Sequence, residues 1–150
     1  MYRTMLAALT IVCLGLGTSA AAVQGGDAAK VLKEMEGSWT VVSMEFQGKK
    51  IPDEKVKELN LQMVFKGDKY SQHTGGKLDE EGTLKLDPSK KPPTIDLSIE
   101  TGKDKGKTQL GVYELKGDTL RVSLARPGST DRPKSLAGDD GLITFKRDKK

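Results

Sequence analysis

Between Ser38 and Phe145 the chain falls into short runs in which apolar and polar residues alternate, and turn residues separate one run from the next. Trp39, Val41 and Ser43 alternate with Thr40, Val42 and Met44, a β-branched and aromatic mixture suited to a pleated strand. Leu61, Met63 and Phe65 share a face, and Gly67-Asp68 turns the chain into Lys69 to Thr74. Gly75-Gly76 and Glu81-Gly82 bracket the next segments, and Leu84 and Leu86 lead to Asp87-Pro88. Ile95, Leu97 and Ile99 alternate with Asp96, Ser98 and Glu100. Leu110 to Leu115 and Leu120 to Leu124 flank Gly117-Asp118, and Gly141 opens a last run through Leu142, Ile143 and Phe145. A period of two is that of a strand with one buried face. With no helical pattern between runs, the fold predicted is all-β, a mainly antiparallel meander rather than βαβ units. About eight such strands can close into an up-and-down barrel without free edges. A two-sheet sandwich competes, but the hairpin-length links favour the barrel.

Two short helices precede the meander's main body. Asp27 can cap one through Glu34, with Val31, Leu32 and Met35 near helical spacing. Ile51-Pro52-Asp53 opens a second, charged one to Leu59, with proline at its first turn. Before both lies a different kind of segment. Arg3 is followed by an apolar run from Met5 to Leu16 and then by small residues to Ala22. This order is that of a secretory signal peptide cleaved near Ala20 to Ala22, and the run is too short for the roughly 20 residues of a membrane span. The expected organisation is a signal peptide over 1–22, a linker over 23–27, the barrel over 28–147 and a tail over 148–150. The basic end from Lys146 to Lys150 reads as frayed. After export to the periplasm or beyond, no membrane span is expected.

Cys13 is the sole cysteine and sits inside the apolar run behind Val12, not at the cleavage site. The exported chain would then hold no thiol, so disulfides, cysteine metal sites and thiol redox chemistry are excluded. The whole chain has 25 basic and 21 acidic residues. Removing Arg3 with the leader leaves 24 against 21. The charges are interspersed along the sequence, which fits a solvated surface and speaks against a nucleic-acid partner.

Several segments, taken in order, resemble a lipocalin-like domain family of unknown function common in planctomycete bacteria. They are Glu36-Gly37-Ser38-Trp39, Phe65 to Tyr70, Leu86-Asp87-Pro88, Pro92-Pro93-Thr94-Ile95-Asp96, Gly111 to Leu120, and Arg132-Pro133. The family often has a cysteine in the strand after the Gly-Asp turn, where this chain reads Val122-Ser123. The resemblance implies a lipocalin-like barrel and export, and brings no catalytic residues with it.

Catalytic patterns are sparse. His73 is the only histidine, so any triad must centre on it, and no Gly-x-Ser-x-Gly elbow exists. Gly102 to Thr108 has three residues between its glycines where a phosphate loop needs four, and a strand pattern follows it. Asp79-Glu80-Glu81 and Asp139-Asp140 are acidic turns without the EF-hand spacing. No metal, cofactor or enzymatic activity is expected.

Three residues read as structural. Trp39 would pack in the closed end of the barrel, where an indole buries a large apolar area. Asp96 interrupts an apolar strand and should face outward, paired with an arginine near the same end, Arg126 or Arg132. Two functions then compete. One is an exported barrel holding a small apolar or amphipathic molecule, lined by Val41, Met63, Phe65, Ile95, Leu97, Val112 and Val122. The other is an envelope module that binds a partner protein and has no internal pocket. An open interior favours the first, a packed one the second.

Overall fold

The structure is a computed structural model that describes residues 21–137 and 140–150. Most of the expected signal peptide, residues 1–20, therefore lies outside the described residues. The chain runs α1 (Ala21–Met35), β1 (Gly37–Phe46), β2 (Lys49–Lys50), α2 (Asp53–Leu59), β3 (Leu61–Lys66), β4 (Lys69–Thr74), β5 (Lys77–Asp87), β6 (Thr94–Ile99), β7 (Thr108–Lys116), β8 (Thr119–Leu124) and β9 (Leu142–Arg147). From β3 to β9 each strand pairs antiparallel with the next, and β1 pairs with both β3 and β9. The result is a closed up-and-down barrel of eight strands, with β2 as a two-residue appendage on β1. Closure satisfies every barrel strand on both sides and leaves no edge for a foreign strand.

Register sorts the side chains. Trp39 faces Met63 across β1–β3, Phe65 faces Tyr70, Leu84 faces Leu97 and Leu86 faces Ile95. Val122 lies opposite Tyr113 and Ile143, and Phe145 opposite Leu120 and Val41. These residues form one buried cluster, with the partly buried Ile143 packed against it. A register shift in β1 leaves Val42 without a partner, turns it outward and keeps Met44 in line with Ile143.

The two helices serve opposite ends of the barrel. α1 enters at the end formed by the start of β1 and the β3–β4 and β7–β8 turns, and it buries Met35 with Val31 and Leu32 against the core. It begins earlier than the sequence suggested, and residues 23–27, expected as a linker, belong to it. Ala21, Ala22, Gln24, Ala28 and Ala29 are good helix formers, enough to carry a helix past Gly25-Gly26 at about 1 kcal/mol per glycine. α2 sits at the other end, burying Val56, and stops at Asn60 in the left-handed conformation (φ 42°), which asparagine tolerates.

Two further expectations are corrected. Glu81-Gly82 is no turn, since β5 runs through it from Lys77 to Asp87. Gly82 is there because an added Cβ would fall 2.0 Å from the Ser98 carbonyl oxygen and 3.0 Å from the Tyr70 ring. The basic end is not frayed from Lys146 either. Lys146 and Arg147 belong to β9, and Asp148, placed in the tail, donates its N–H to the Ser38 carbonyl and accepts from the Thr40 hydroxyl at 2.6 Å.

Arg147 does more than end a strand. Its guanidinium lies 4.3 Å from the centroid of the Trp39 ring. It donates to the carbonyls of Glu36 (2.7 Å) and Glu34, and its Nε to Asp118 (3.1 Å). Trp39 Nε1 donates to the Met35 carbonyl at 2.8 Å. The last turn of α1, whose C-terminal carbonyls have no partner within the helix, is thus tied to β1 and β9, the first and last strands of the barrel.

Burial of the two core tyrosines has a consequence at high pH. Desolvation raises the Tyr70 phenol well above its ordinary value, and the hydrogen bond to Glu80 and the charges of Glu80 and Glu100 add to it. Desolvation pushes Tyr113 up to about 12, with Asp87 and Glu34 adding to it. Both phenols are neutral in folded and unfolded chains below pH 10.0, so their contribution is fully present there. Above it the unfolded chain loses these protons first. Stability is expected to fall as pH rises from 10.0 towards about 12, tracked by the urea midpoint against tyrosinate absorbance. A flat midpoint across that window would show both phenols to be solvated.

Candidate functional site

The barrel interior was one expected site. The structure places Val41, Met63, Phe65, Ile95, Leu97 and Val122 on its inner wall, each between 2% and 7% exposed. A void large enough for water would expose the side chains lining it, so these values describe a wall packed against itself. The inner face becomes polar only toward the α2 end, where register places Gln72, Thr74, Glu80 and Gln109. There the Tyr70 hydroxyl donates to Glu80 (2.8 Å) and Gln109 Nε2 to the Ala125 carbonyl (2.8 Å).

Val112, the seventh residue expected to line the interior, is on the outer wall. It pairs with Thr94 on one side and Ser123 on the other, both outward-facing positions. It is nevertheless 2% exposed. The segment after β8 runs back over the outside of the barrel, and its Arg132 and Pro133 share a cleft with Val112. An outward valine can be as buried as an inward one where a strap crosses the wall.

That strap is fixed by the pair anticipated at Asp96. Arg132 Nη1 lies 2.6 Å from Asp96 Oδ1, and the same nitrogen donates to the carbonyls of Gly111 (2.8 Å) and Ile95 (3.3 Å). Its N–H bonds point at the carbonyls. Asp96 Oδ1, buried, is held by charge without an aligned hydrogen bond. Arg126, the other candidate, is exposed and lines a separate cleft with Phe46, Gln47 and Asp131.

Around the Asp96–Arg132 pair opens a cleft of about 620 Å³ on the outer wall. Its sides come from β5 and β6, the loop between them, and the strap. Lys85, Asp87, Lys90, Lys91, Arg132 and Lys134 carry its charge, and Pro92, Thr94, Val112 and Pro133 line the remainder. Five cations face two carboxylates. Of these, Asp96 is committed to Arg132, and Asp87 accepts from the Ser89 hydroxyl and backbone N–H. That hydroxyl bond, with the backbone bond and the charges of Lys90 and Lys85 also contributing, holds the Asp87 carboxyl below the usual carboxylate range. Among the described residues, Lys85, Lys90, Lys91 and Lys134 form no ion pair.

No family model matches the chain, and no curated protein does. Among solved structures, apo lipid binding protein 8 of Caenorhabditis elegans is similar, with a TM-score of 0.40 and 13% identity over 77% of this chain and 96% of that one.

Ser71 Oγ lies 3.0 Å from His73 Nε2, both outward residues of β4, and among the described residues no third group is hydrogen-bonded to the ring. Gly102 to Thr108 is a tight β6–β7 connection, braced by a 2.8 Å ion pair from Lys107 to Asp104. Groups of three or more histidine, cysteine or carboxylate side chains able to hold a metal are absent among the described residues. The cleft lysines escaped notice because the chain delivers them from two segments some forty residues apart. The available signal was local: Lys90-Lys91-Pro92-Pro93 and Arg132-Pro133-Lys134 each set basic residues against proline.

Proposed function

We propose that this chain is an exported, non-catalytic binding module that works from the outside of its barrel, the interior serving as core. The observation that carries the reading is the inner wall: Trp39 and Leu120 are 0% exposed, and Ile95 and Leu97 2%. Pockets for small molecules have volumes of about 300–1,000 Å³, and clefts of that order open around the barrel, among them one of about 620 Å³ over Asp96 and Arg132 and one of about 520 Å³ beside Arg147. The leader pattern from Met5 to Ala22 supports export, and the ordered segments from Glu36 to Pro133 support membership of the planctomycete lipocalin-like family.

Protein taken from its source organism should begin between Ala21 and Gln24 on N-terminal sequencing. Purified protein should show no saturable fluorescence enhancement with a neutral apolar dye such as N-phenyl-1-naphthylamine. Leu97→Trp, which forces an indole into a filled wall, should cost about 1–3 kcal/mol in urea unfolding. Saturable dye uptake that Leu97→Trp abolishes while stability stays within about 0.5 kcal/mol would move the site inside the barrel and overturn the reading.

A further inference from the structure

The charges of this chain are mixed along the sequence, yet one cleft is rich in cations, with Asp140 in an adjoining pocket that shares Arg132 and Lys134. The cleft over the Asp96–Arg132 pair holds three more cations than carboxylates, equal to the whole excess of 24 over 21 in the chain without its leader. The rest of that chain is neutral in sum.

We infer that the cleft binds a small multivalent anion, a molecule carrying two or more carboxylate or phosphate groups. This rests on the outward-acting reading above and names its ligand class. The committed groups are as informative as the free ones. Arg132 spends Nη1 on Asp96 and on the Gly111 and Ile95 carbonyls, so it fixes the strap over the wall. Lys85, Lys90, Lys91 and Lys134 are left as exposed point charges on flexible stems around a wall that is already built. Such ammoniums can meet separate anionic groups of one ligand, whereas a single carboxylate is best met by a bidentate arginine fork. Asp87, held ionised by Ser89, sets a repulsive point that an anion must avoid, which gives the cleft a preferred side. Pro92, Val112 and Pro133 supply an apolar surface for the ligand's carbon frame.

Citrate and inorganic pyrophosphate, titrated into the protein at low salt and followed by amide NMR and calorimetry, test this. Shifts should centre on Lys85, Lys90 to Asp96 and Arg132 to Lys134. Affinity should fall as salt shortens the Debye length below about 10 Å. Lys90→Gln, Lys91→Gln and Lys134→Gln should each weaken binding roughly two- to fivefold, the scale of an exposed ion pair. The triple variant should lose binding, while Lys55→Gln on α2 changes nothing. Absence of shifts at the cleft, equal loss with Lys55→Gln, or binding of polygalacturonate but neither small anion would overturn the inference. None of these outcomes depends on the interior, so the outward-acting reading stands or falls separately by the neutral dye.

Discussion

Replacing Trp39 with alanine is expected to cost about 3–5 kcal/mol, the range of buried aromatic truncations. Three separate contributions disappear together. The indole is 0% exposed and packs beside Met63 and Val41 at the α1 end of the barrel. Its Nε1 is the donor to the Met35 carbonyl, a group at the C-terminus of α1 that has no partner further along the helix. The Arg147 guanidinium lies 4.3 Å from the centroid of its ring, an interaction worth about 0.5–2 kcal/mol. A domain with about 5–15 kcal/mol in total would lose a large share of it. Trp39 is the only tryptophan, so the comparison is made by circular dichroism in urea. Trp39→Phe separates the contributions: it keeps a ring under Arg147 and removes the donor, and should cost about 1–3 kcal/mol. A change within about 0.5 kcal/mol for Trp39→Ala would mean that the ring is not part of the core.

The strand pattern was legible because each buried face writes itself into the sequence with a period of two, as in Leu61-Met63-Phe65 and Ile95-Leu97-Ile99. The Gly67-Asp68 and Gly117-Asp118 turns were legible for a different reason: both glycines have positive φ, 59° and 56°, which other residues resist. Asp96 was legible as a charge out of place among apolar neighbours, and its arginine partner followed from chemistry. What failed to show has a common cause. Val112, the lysine cleft and the Trp39–Arg147 contact each depend on which distant segments meet, and alternation within one strand carries no record of that. Val112-Tyr113 presents two adjacent apolar residues, and only pairing with Thr94 and Ser123 shows which one faces out. Arg147 looked like part of a basic tail because its role comes from a tryptophan more than a hundred residues earlier.

Gly82→Ala should be the most damaging small substitution in the wall, at about 3 kcal/mol or more, the upper limit of ordinary overpacking. Its backbone lies outside the positive-φ region, so a side chain is refused on steric grounds alone. The added Cβ would stand 2.0 Å from the Ser98 carbonyl oxygen, 3.0 Å from the Ser98 carbonyl carbon and 3.0 Å from Tyr70 Cε1. A flexible side chain could swing aside from such a contact. A carbonyl in β6 cannot, since that strand is held by ladders to β5 and β7 on either side. The Tyr70 ring is no freer, being buried and bonded through its hydroxyl to Glu80. Relief would need β5 and β6 to part near the α2 end, breaking the register that puts Leu84 opposite Leu97. Gly106→Ala is the control: its φ is 85° with nothing within 4 Å of the added Cβ, so it should cost only the left-handed penalty of about 1–2 kcal/mol. The order of the two urea midpoints is the readout. If Gly82→Ala unfolds at or above the midpoint of Gly106→Ala, β5 and β6 do not approach as closely as the barrel requires, and the packed inner wall on which the outward-acting reading depends loses its support at this point.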